Sequence, residues 1–337
     1  MFNLKDWEKL GKKHTEITKK CIQWIKSNKY KHISYFELSS FIYEQITKHK
    51  VKKAFPVGIS KNHIGAHDTT LLDDTRTFDP LTDYVCIDFG IHEKGYIIDS
   101  AFTWNPRFIY GLSDTIYNHN ISSQTIENYN LCVDVSKEAV KHMTKLCRPN
   151  MLIYDIAQEV QEIIESHDTI YGIPELTGHT IERWNIHGKK LIPSSTKINS
   201  FFESNPRIEE NDVCALEVYI TDSNKKVFMD NINKTNHFNF INPNKQLPCF
   251  ITEITKNIIS SLQLNNSLRL PFSQHYLQSY TNTQWNYMIN ECYANKIITL
   301  YPPVMVKEGH IITQTEDMVY VGNNKNYLLT EKQFLKY

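Results

Sequence analysis

The stretch that most constrains the fold is YVCIDFGIHEKGYIIDSAF, residues 84–102, where apolar and polar positions alternate on both sides of a turn signal. With the turn at Glu93 and Lys94, the pattern predicts a hairpin in which Asp88 lies directly opposite Asp99. The same register pairs apolar residues on the other face: Val85 with Phe102, Phe89 with Ile98, and Ile91 with Tyr96. Two opposed carboxylates need a proton or a cation between them. A divalent metal ion suits such oxygen ligands, and a solvated acidic pair is the alternative.

The composition narrows the function classes. The chain has 337 residues, with Lys+Arg and Asp+Glu equal at 37 each, so its formal net charge of zero argues against nucleic-acid or membrane-surface binding. Its 7 cysteines form no CxxC pair and indicate reduced thiols. The N-terminal stretch is too charged for a signal peptide, and no apolar run reaches transmembrane length. We therefore expect a cytoplasmic monomer with no membrane or nucleic-acid partner.

Strands followed by helices occur twice along the chain. Apolar residues at helical spacing predict a first helix from Trp7 to Trp24, and Ser34 with Glu37 forms a capping box for a second. Further helices are predicted near 125–146, 154–166, 251–262 and 284–297, and strand-like segments near 54–67, 176–187, 212–220 and 310–321. The repeated order indicates a pseudo-symmetric α+β protein. Since no linker rich in Pro, Gly or Ser divides the halves, we predict one domain over 1–337, with an N-terminal helical region over 1–52.

Three more side chains stand in strand-like settings. His179 lies in TGHTI, Glu217 in CALEV and Glu316 in TQTEDMVYV. Each has an ordinary alternative: a satisfied interior histidine, an outward-facing strand residue and a solvated edge-strand residue, respectively. For Glu217 the apolar neighbours matter, because burying a carboxylate without a cation or proton partner is very costly.

Taken together, Asp88, Asp99, His179, Glu217 and Glu316 resemble, in this order, the metal ligands of the methionine aminopeptidase family. The segments AFPVG, DFGIHEKGYIIDSAFT, GHTIERWNIHGK, ALE and LYPPV carry the same resemblance. The interval between Glu217 and Glu316 is long enough to hold a helical insert at about 245–300. In this feature the chain resembles type 2 members of the family.

The resemblance implies a pita-bread fold with pseudo-two-fold halves and two divalent metal ions, for which Mn, Co, Fe and Zn are all candidates. Asp88 would bind one ion, Asp99 and Glu316 would bridge, and His179 and Glu217 would complete the site. A metal-activated water would then release the initiator methionine from nascent polypeptide N-termini with a small second residue. Glu217 would act as general base.

Further positions match the family by spacing. His67 and His187 resemble catalytic histidines that contact the substrate, with surface histidines as the alternative. The positions that resemble the wall of a methionine pocket, together with these two histidines, are Phe55, Gly58, Ile186, His237 and Tyr301. Ordinary core packing is the alternative for Phe55, Ile186 and Tyr301, and the alignment around His237 is loose.

Departures from the family pattern surround the site. The loop after His67 reads DTTLLDDTRTFD, Glu182 replaces a glycine, and Thr315 and Asp317 flank Glu316 where members often have Phe and His. Two alternatives therefore remain: a homologue that binds protein or nucleic acid, and a related proline-specific peptidase. The chain shows no long charged N-terminal extension, so ribosome binding through such a tail is not expected, and proximity to the ribosome stays open.

Overall fold

Two antiparallel sheets position the predicted ligands. The structure is a computed structural model that describes residues 3–110, 122–230, 234–265, 268–323 and 325–330. The other residues of the predicted domain 1–337, including the first two of the helical region 1–52, lie outside the described residues. In these described parts no helix is long and apolar enough to cross a membrane.

The helices are α1 Leu4–Ser27, α2 Tyr35–Lys48, α3 Arg107–Tyr110, α4 Ser123–Leu146, α5 Ile153–Glu165, α6 Glu253–Asn265 and α7 Asn282–Ala294, with short 3-10 helices at Asn199–Phe202 and Gln274–Tyr276. The strands are β1 Ile33–Ser34, β2 Lys52–Lys53, β3 Gly58–Lys61, β4 Ile64–Ala66, β5 Thr77–Phe78, β6 Val85–Glu93, β7 Tyr96–Trp104, β8 Tyr171–Gly172, β9 Gly178–Thr180, β10 Leu191–Ile192, β11 Val213–Thr221, β12 Phe228–Met229, β13 Phe238–Phe240, β14 Ile298–Leu300, β15 Val304–Met305, β16 Ile312–Val321 and β17 Asn326–Leu328.

The long helices begin where the sequence supplies a cap. Ser34 and Glu37 form the predicted capping box of α2, and Asn3 with Asp6 forms an equivalent box at α1. Both helices pack on β6 and β7 in one apolar core, while α4 and α5 cover the sheet of the second half. Each half therefore places a helical layer behind its sheet, which leaves the other faces for the site.

The first sheet has the order β2-β6-β3, with β7 paired to β6. The hairpin β6–β7 confirms the predicted element but not its register. Lys94 and Gly95 both adopt positive φ, at 54° and 86°, and form a two-residue turn. Because this turn lies one residue later than predicted, Asp88 pairs with Ala101, and Asp99 pairs with Gly90.

The predicted apolar pairs shift with the turn. Val85 faces Trp104, Phe89 faces Ser100, and Ile91 faces Ile98. A shift of two residues leaves every side chain on its predicted face, since the side-chain period of a strand is two. Asp88 and Asp99 are therefore diagonal neighbours on one face, and the prediction that they are directly opposed is wrong.

The second sheet has the order β10-β9-β11-β16-β17, with β8 also paired to β11. The long pair β11–β16 sets Glu217 opposite Glu316 and Tyr219 opposite Gln314. Of the strand predicted over 176–187, only β9 forms, and the segment predicted as short strands over 310–321 contains the single long strand β16.

The two sheets meet where β7 side chains contact the edge of β16 opposite β11, before the residues that pair with β17. The Ser100 hydroxyl donates to the carbonyl of Glu316 at 2.7 Å. Thr103 Oγ1 donates to the carbonyl of Gln314 at 2.9 Å and accepts from the amide of the same residue at 2.9 Å. We call these contacts of Ser100 and Thr103 the seam. They hold β7 of the first half against β16 of the second.

The helical insert begins earlier than the predicted 245–300. Its base is the two-strand sheet β13–β14, and α6 and α7 form a separate core above it with Trp285 and Met288. The insert contacts the loop after β4: Asn236 Nδ2 donates to the carbonyl of Thr70 at 2.7 Å, and His275 Nε2 lies 3.3 Å from the carbonyl of Leu71. The insert therefore packs directly against the loop that follows His67.

Candidate metal centre

Asp99, His179 and Glu316 converge between the two sheets. Their ligand atoms all lie within 4.8 Å of one another. Among the residues that the structure describes, this is the one group of three or more His, Cys, Asp or Glu side chains close enough to hold a metal ion. Asp99 comes from β7, His179 from β9 and Glu316 from β16, so both halves contribute. All three side chains are buried. Two buried carboxylates and an imidazole in mutual reach are a donor set that fits a divalent cation.

The protonation state and orientation of the His179 imidazole suit metal binding. Burial lowers the pKa of His179 to about 3, so the ring is neutral at neutral pH. Its Nδ1 lies 3.3 Å from the carbonyl of Thr180, and Nε2 lies 3.9 Å from Asp99 Oδ2. Donation from Nδ1 to this carbonyl leaves the lone pair of Nε2 directed at the carboxylates.

Glu217 and Asp88 lie beside this triad. Glu217 Oε1 is 4.0 Å from His179 Nε2. The side-chain amide of Gln314 donates to Glu217 Oε2 at 3.3 Å and to Asp88 Oδ2 at 3.1 Å. Burial, followed by the charge of Asp88, raises the pKa of Glu217 to about 8. All five predicted ligands therefore meet at one place, with Asp88 and Glu217 joined by an amide.

Aromatic rings form a wall beside the triad. The His179 and His187 ring centroids are 4.7 Å apart, and Tyr301 lies 6.2 Å from His187 and 5.3 Å from both His67 and His237. Phe55 and Ile186 are buried. Phe55 stacks on His237 at 6.5 Å. His187 is exposed, as its surface alternative predicted, but its ring still contacts His179. The rings thus form a chain of contacts from His179 to Phe55, and Phe55 and Ile186 also belong to the main apolar core.

The backbone explains why these rings meet. The amide of Tyr301 donates to the carbonyl of His237 at 3.0 Å, because the two residues flank the paired strands β13 and β14. His67 follows β4, which pairs with β15 just after Pro302, and its Nδ1 lies 3.4 Å from the carbonyl of Pro302. Gly58, opposite Asp88 in the sheet, keeps the backbone close to the ligands.

His67 has a special conformation and a shifted pKa. Its φ is 61°, in the left-handed region that few non-glycine residues adopt. Burial lowers its pKa to about 4. The following residue, Asp68, receives a hydrogen bond from Arg76 at 2.6 Å, which anchors the loop. His67 is therefore held as a neutral imidazole in the aromatic wall.

The departures noted in the sequence lie around the site and do not fill it. The Glu182 side chain is 44% exposed and pairs with Lys189 at 3.6 Å. Sequence reasoning missed Gln314 and Tyr219, whose Nε2 and hydroxyl are 2.6 Å apart. Gln314 and Tyr219 lie two residues from Glu316 and Glu217, respectively, on the same strands. This spacing places them on the same face as the candidate ligands and could have identified them from the sequence.

The comparisons with known proteins identify the family of the chain. The model of metallopeptidase family M24 matches residues 7–239. The chain belongs to metallopeptidase family M24. A curated relative, methionine aminopeptidase 2 of Verticillium alfalfae, is 28% identical over an alignment of 277 residues that covers 79% of this chain and 55% of the relative. The chain therefore spans little more than half the length of this relative.

Solved structures show the same fold. Methionine aminopeptidase from Thermotoga maritima has a TM-score of 0.61 at 14% identity, covering 98% of this chain and 99% of its own. A thermophilic Arx1 has a TM-score of 0.75 at 14% identity, covering 99% of this chain and 92% of its own. At this identity the likeness shows the fold alone. The pita-bread α+β fold and the resemblance to type 2 methionine aminopeptidases are confirmed.

Proposed function

We propose that this M24 chain is a metallo-aminopeptidase that removes the initiator methionine from nascent polypeptides whose second residue is small. The observation that carries the proposal is the position of the buried triad Asp99, His179 and Glu316 directly against the aromatic wall. A peptide N-terminus bound against the wall would reach the triad. We place the reaction in the cytoplasm and expect a monomer.

The residues that would hold metal are those of the triad, with Glu217 and Asp88 at the side where a second ion would bind. Mn, Co, Fe and Zn all suit this mixture of oxygen ligands and one imidazole. When bound, such ions lower the pKa of water and polarise a carbonyl oxygen.

Glu217 would move the proton. Burial and the charge of Asp88 raise its pKa to about 8, so the group is mostly protonated at pH 7 in the metal-free protein; a bound cation would favour the carboxylate form that a general base requires. One oxygen faces His179 and the other accepts the Gln314 amide, so the carboxylate is oriented within the site. We infer that it takes a proton from the attacking water and returns it to the leaving amine.

The aromatic wall would select the substrate. Phe55, Ile186 and Tyr301 offer apolar surface to a thioether, whose unbranched chain adapts well to irregular space. Gly58, opposite Asp88 in the first sheet, would line the place of the substrate's first residue. His67, His187 and His237 would orient the peptide group by hydrogen bonds, and the neutral state of His67 lets one ring nitrogen donate and the other accept.

A metal-reconstitution assay tests the function. The metal-free protein is loaded with Mn, Co, Fe or Zn singly and assayed on Met-Ala-Ser, Met-Leu-Ser, Leu-Ala-Ser and a proline-containing dipeptide. We expect release of methionine from Met-Ala-Ser with at least one metal and poor cleavage of the other three. Preference for the proline substrate would favour the proline-specific peptidase. Full metal loading without any hydrolysis would favour the binding module.

A further inference from the structure

A second pair of polar side chains lies next to Glu217 and Glu316 on the second sheet. Glu217 pairs with Glu316, and two residues further along the same strands Tyr219 pairs with Gln314. Because side chains two residues apart on a strand share a face, the Tyr219–Gln314 pair projects to the same side as the ligands. The aromatic ring of Tyr219 thus brings a hydroxyl to the floor of the site.

The hydroxyl of Tyr219 and the amide of Gln314 join the acidic side chains into one network. Gln314 Nε2 lies 2.6 Å from the Tyr219 hydroxyl, 3.3 Å from Glu217 Oε2 and 3.1 Å from Asp88 Oδ2. A primary amide has two protons for these three acceptors. The Tyr219 hydroxyl accepts from this amide and so fixes the group that also donates to Glu217 and Asp88. The orientation of both carboxylates therefore depends on Tyr219 through Gln314.

The ring of Tyr219 is fixed by packing. It is 4% exposed and belongs to an apolar cluster with Ala66, Ile173, Val304, Val306 and Ile312. A ring so enclosed has little rotational freedom, so its hydroxyl occupies a defined point. This is the support that a positioned carboxylate needs, since a ligand is only as well oriented as the groups that contact it.

We propose that Tyr219 is a positioning residue: its hydroxyl, together with the Gln314 amide, sets the orientation of Glu217 and Asp88 toward a bound metal ion. The inference rests on the proposed function and deepens it. The competing explanation is that Tyr219 only fills the core, in which case its ring matters and its hydroxyl does not.

The test variant is Tyr219→Phe, which keeps the ring and removes only the hydroxyl. The matched control is Tyr84→Phe, which also removes a buried tyrosine hydroxyl with a hydrogen bond, here to Asn130 Oδ1 at 2.8 Å. Calorimetric titration with Mn²⁺ measures metal affinity, thermal melting of the metal-free proteins measures stability, and Met-Ala-Ser hydrolysis gives kcat and KM.

We expect Tyr219→Phe to lower Mn²⁺ affinity or kcat by roughly 10–100-fold, as for loss of other groups that support metal ligands, with KM nearly unchanged. Tyr84→Phe should change neither quantity, although both variants melt slightly earlier. Gln314→Met should also weaken Mn²⁺ binding or kcat. The double variant should lose less than the product of the two single effects, since both act on the same carboxylates.

Wild-type Mn²⁺ affinity and kcat in Tyr219→Phe would overturn the inference, as would equal losses in Tyr84→Phe or multiplying effects in the double variant. Failure of the proposed function looks different. Wild-type protein that binds Mn²⁺ but releases no methionine contradicts the proposed function, while the affinities of the variants still decide the role of Tyr219. Wild-type protein that binds no Mn²⁺ contradicts both.

Discussion

The candidate site combines two groups of residues, buried acidic side chains and neutral histidines. Acidic side chains are buried together, and the histidines beside them are kept neutral by burial. Substitutions in the two groups should have different effects. Loss of a metal ligand should reduce metal content, whereas loss of a wall residue should reduce turnover and leave metal content unchanged. This difference can be measured at His67.

His67→Asn should reduce turnover of Met-Ala-Ser by about 10²–10⁴-fold if the imidazole takes part in proton transfer. Metal content should stay at the wild-type level, since His67 lies outside the triad. Asparagine tolerates the positive φ of 61° at this position, so the loop should keep its shape. Steady-state kinetics with elemental analysis of the same samples checks both points. Full activity in this variant would rule out a catalytic role.

The lowered pKa of His67 also predicts how stability depends on pH. The folded state keeps the ring neutral down to pH about 4, whereas the unfolded chain binds a proton near its ordinary pKa of 6.5. The unfolded state thus binds more protons between these values, and the free energy of unfolding falls as pH decreases from 6.5 to 4.

Urea unfolding of the metal-free protein at several pH values measures this slope. The control is His67→Asn, in which the slope over the same window should be shallower than in the wild type. Identical slopes in the two proteins would show that His67 is not the group responsible.

The sequence predicted the five candidate ligands and the wall histidines because their residue types and spacing resemble one family pattern, and the structure brings the five acidic and imidazole side chains together. It did not identify Tyr219 or Gln314, since a tyrosine in an apolar strand is ordinarily core. Their meaning depends on the β11–β16 register, which places them beside Glu217 and Glu316.

Among the elements, the β6–β7 hairpin shows how one turn sets the geometry of a site. The alternation of apolar and polar residues predicted the hairpin correctly. It did not predict the register, because the choice between two adjacent turn positions depends on which residues adopt positive φ. Lys94 and Gly95 do so, and the ring of Trp184 packs over Gly95. The helices were more predictable, since α1 and α2 have both apolar spacing and caps.

Gly95→Ala should destabilise the protein more than Gly309→Ala. Both glycines have positive φ, at 86° and 93°, but an added Cβ at Gly95 would lie 2.3 Å from the Trp184 ring, and at Gly309 it would meet nothing within 4 Å. The control therefore carries only the backbone cost of about 1–2 kcal/mol. Urea unfolding at pH 7 measures the difference. Equal losses would mean that the Trp184 contact does not constrain the turn.

For the whole molecule, the important fact is that the candidate ligands come from both halves. Asp99 belongs to the first sheet, and His179 and Glu316 belong to the second. The family resemblance implied two pseudo-symmetric halves. It could not predict that the insert contacts the loop after His67 through Asn236 and His275, because no local pattern marks contacts between distant segments.

Removal of metal should lower the melting temperature of the wild-type protein. A ligand that binds only the folded state stabilises it by about 2.7 kcal/mol when present at 100 times its dissociation constant. Asp99→Asn lacks one member of the triad and should melt at the same temperature with and without EDTA. Thermal melts with EDTA and with Mn²⁺ restored measure this. A wild-type melting temperature that is insensitive to EDTA would contradict metal binding between the halves.

The seam has a consequence for isotope labelling. Most amides of a paired strand exchange with solvent deuterium only when the strands separate. The amide of Gln314 is held by the side-chain hydroxyl of Thr103, so a change of one rotamer releases it. Deuterium uptake at this amide therefore reports local opening of the Thr103–Gln314 contact between the two sheets while the β11–β16 ladder stays closed.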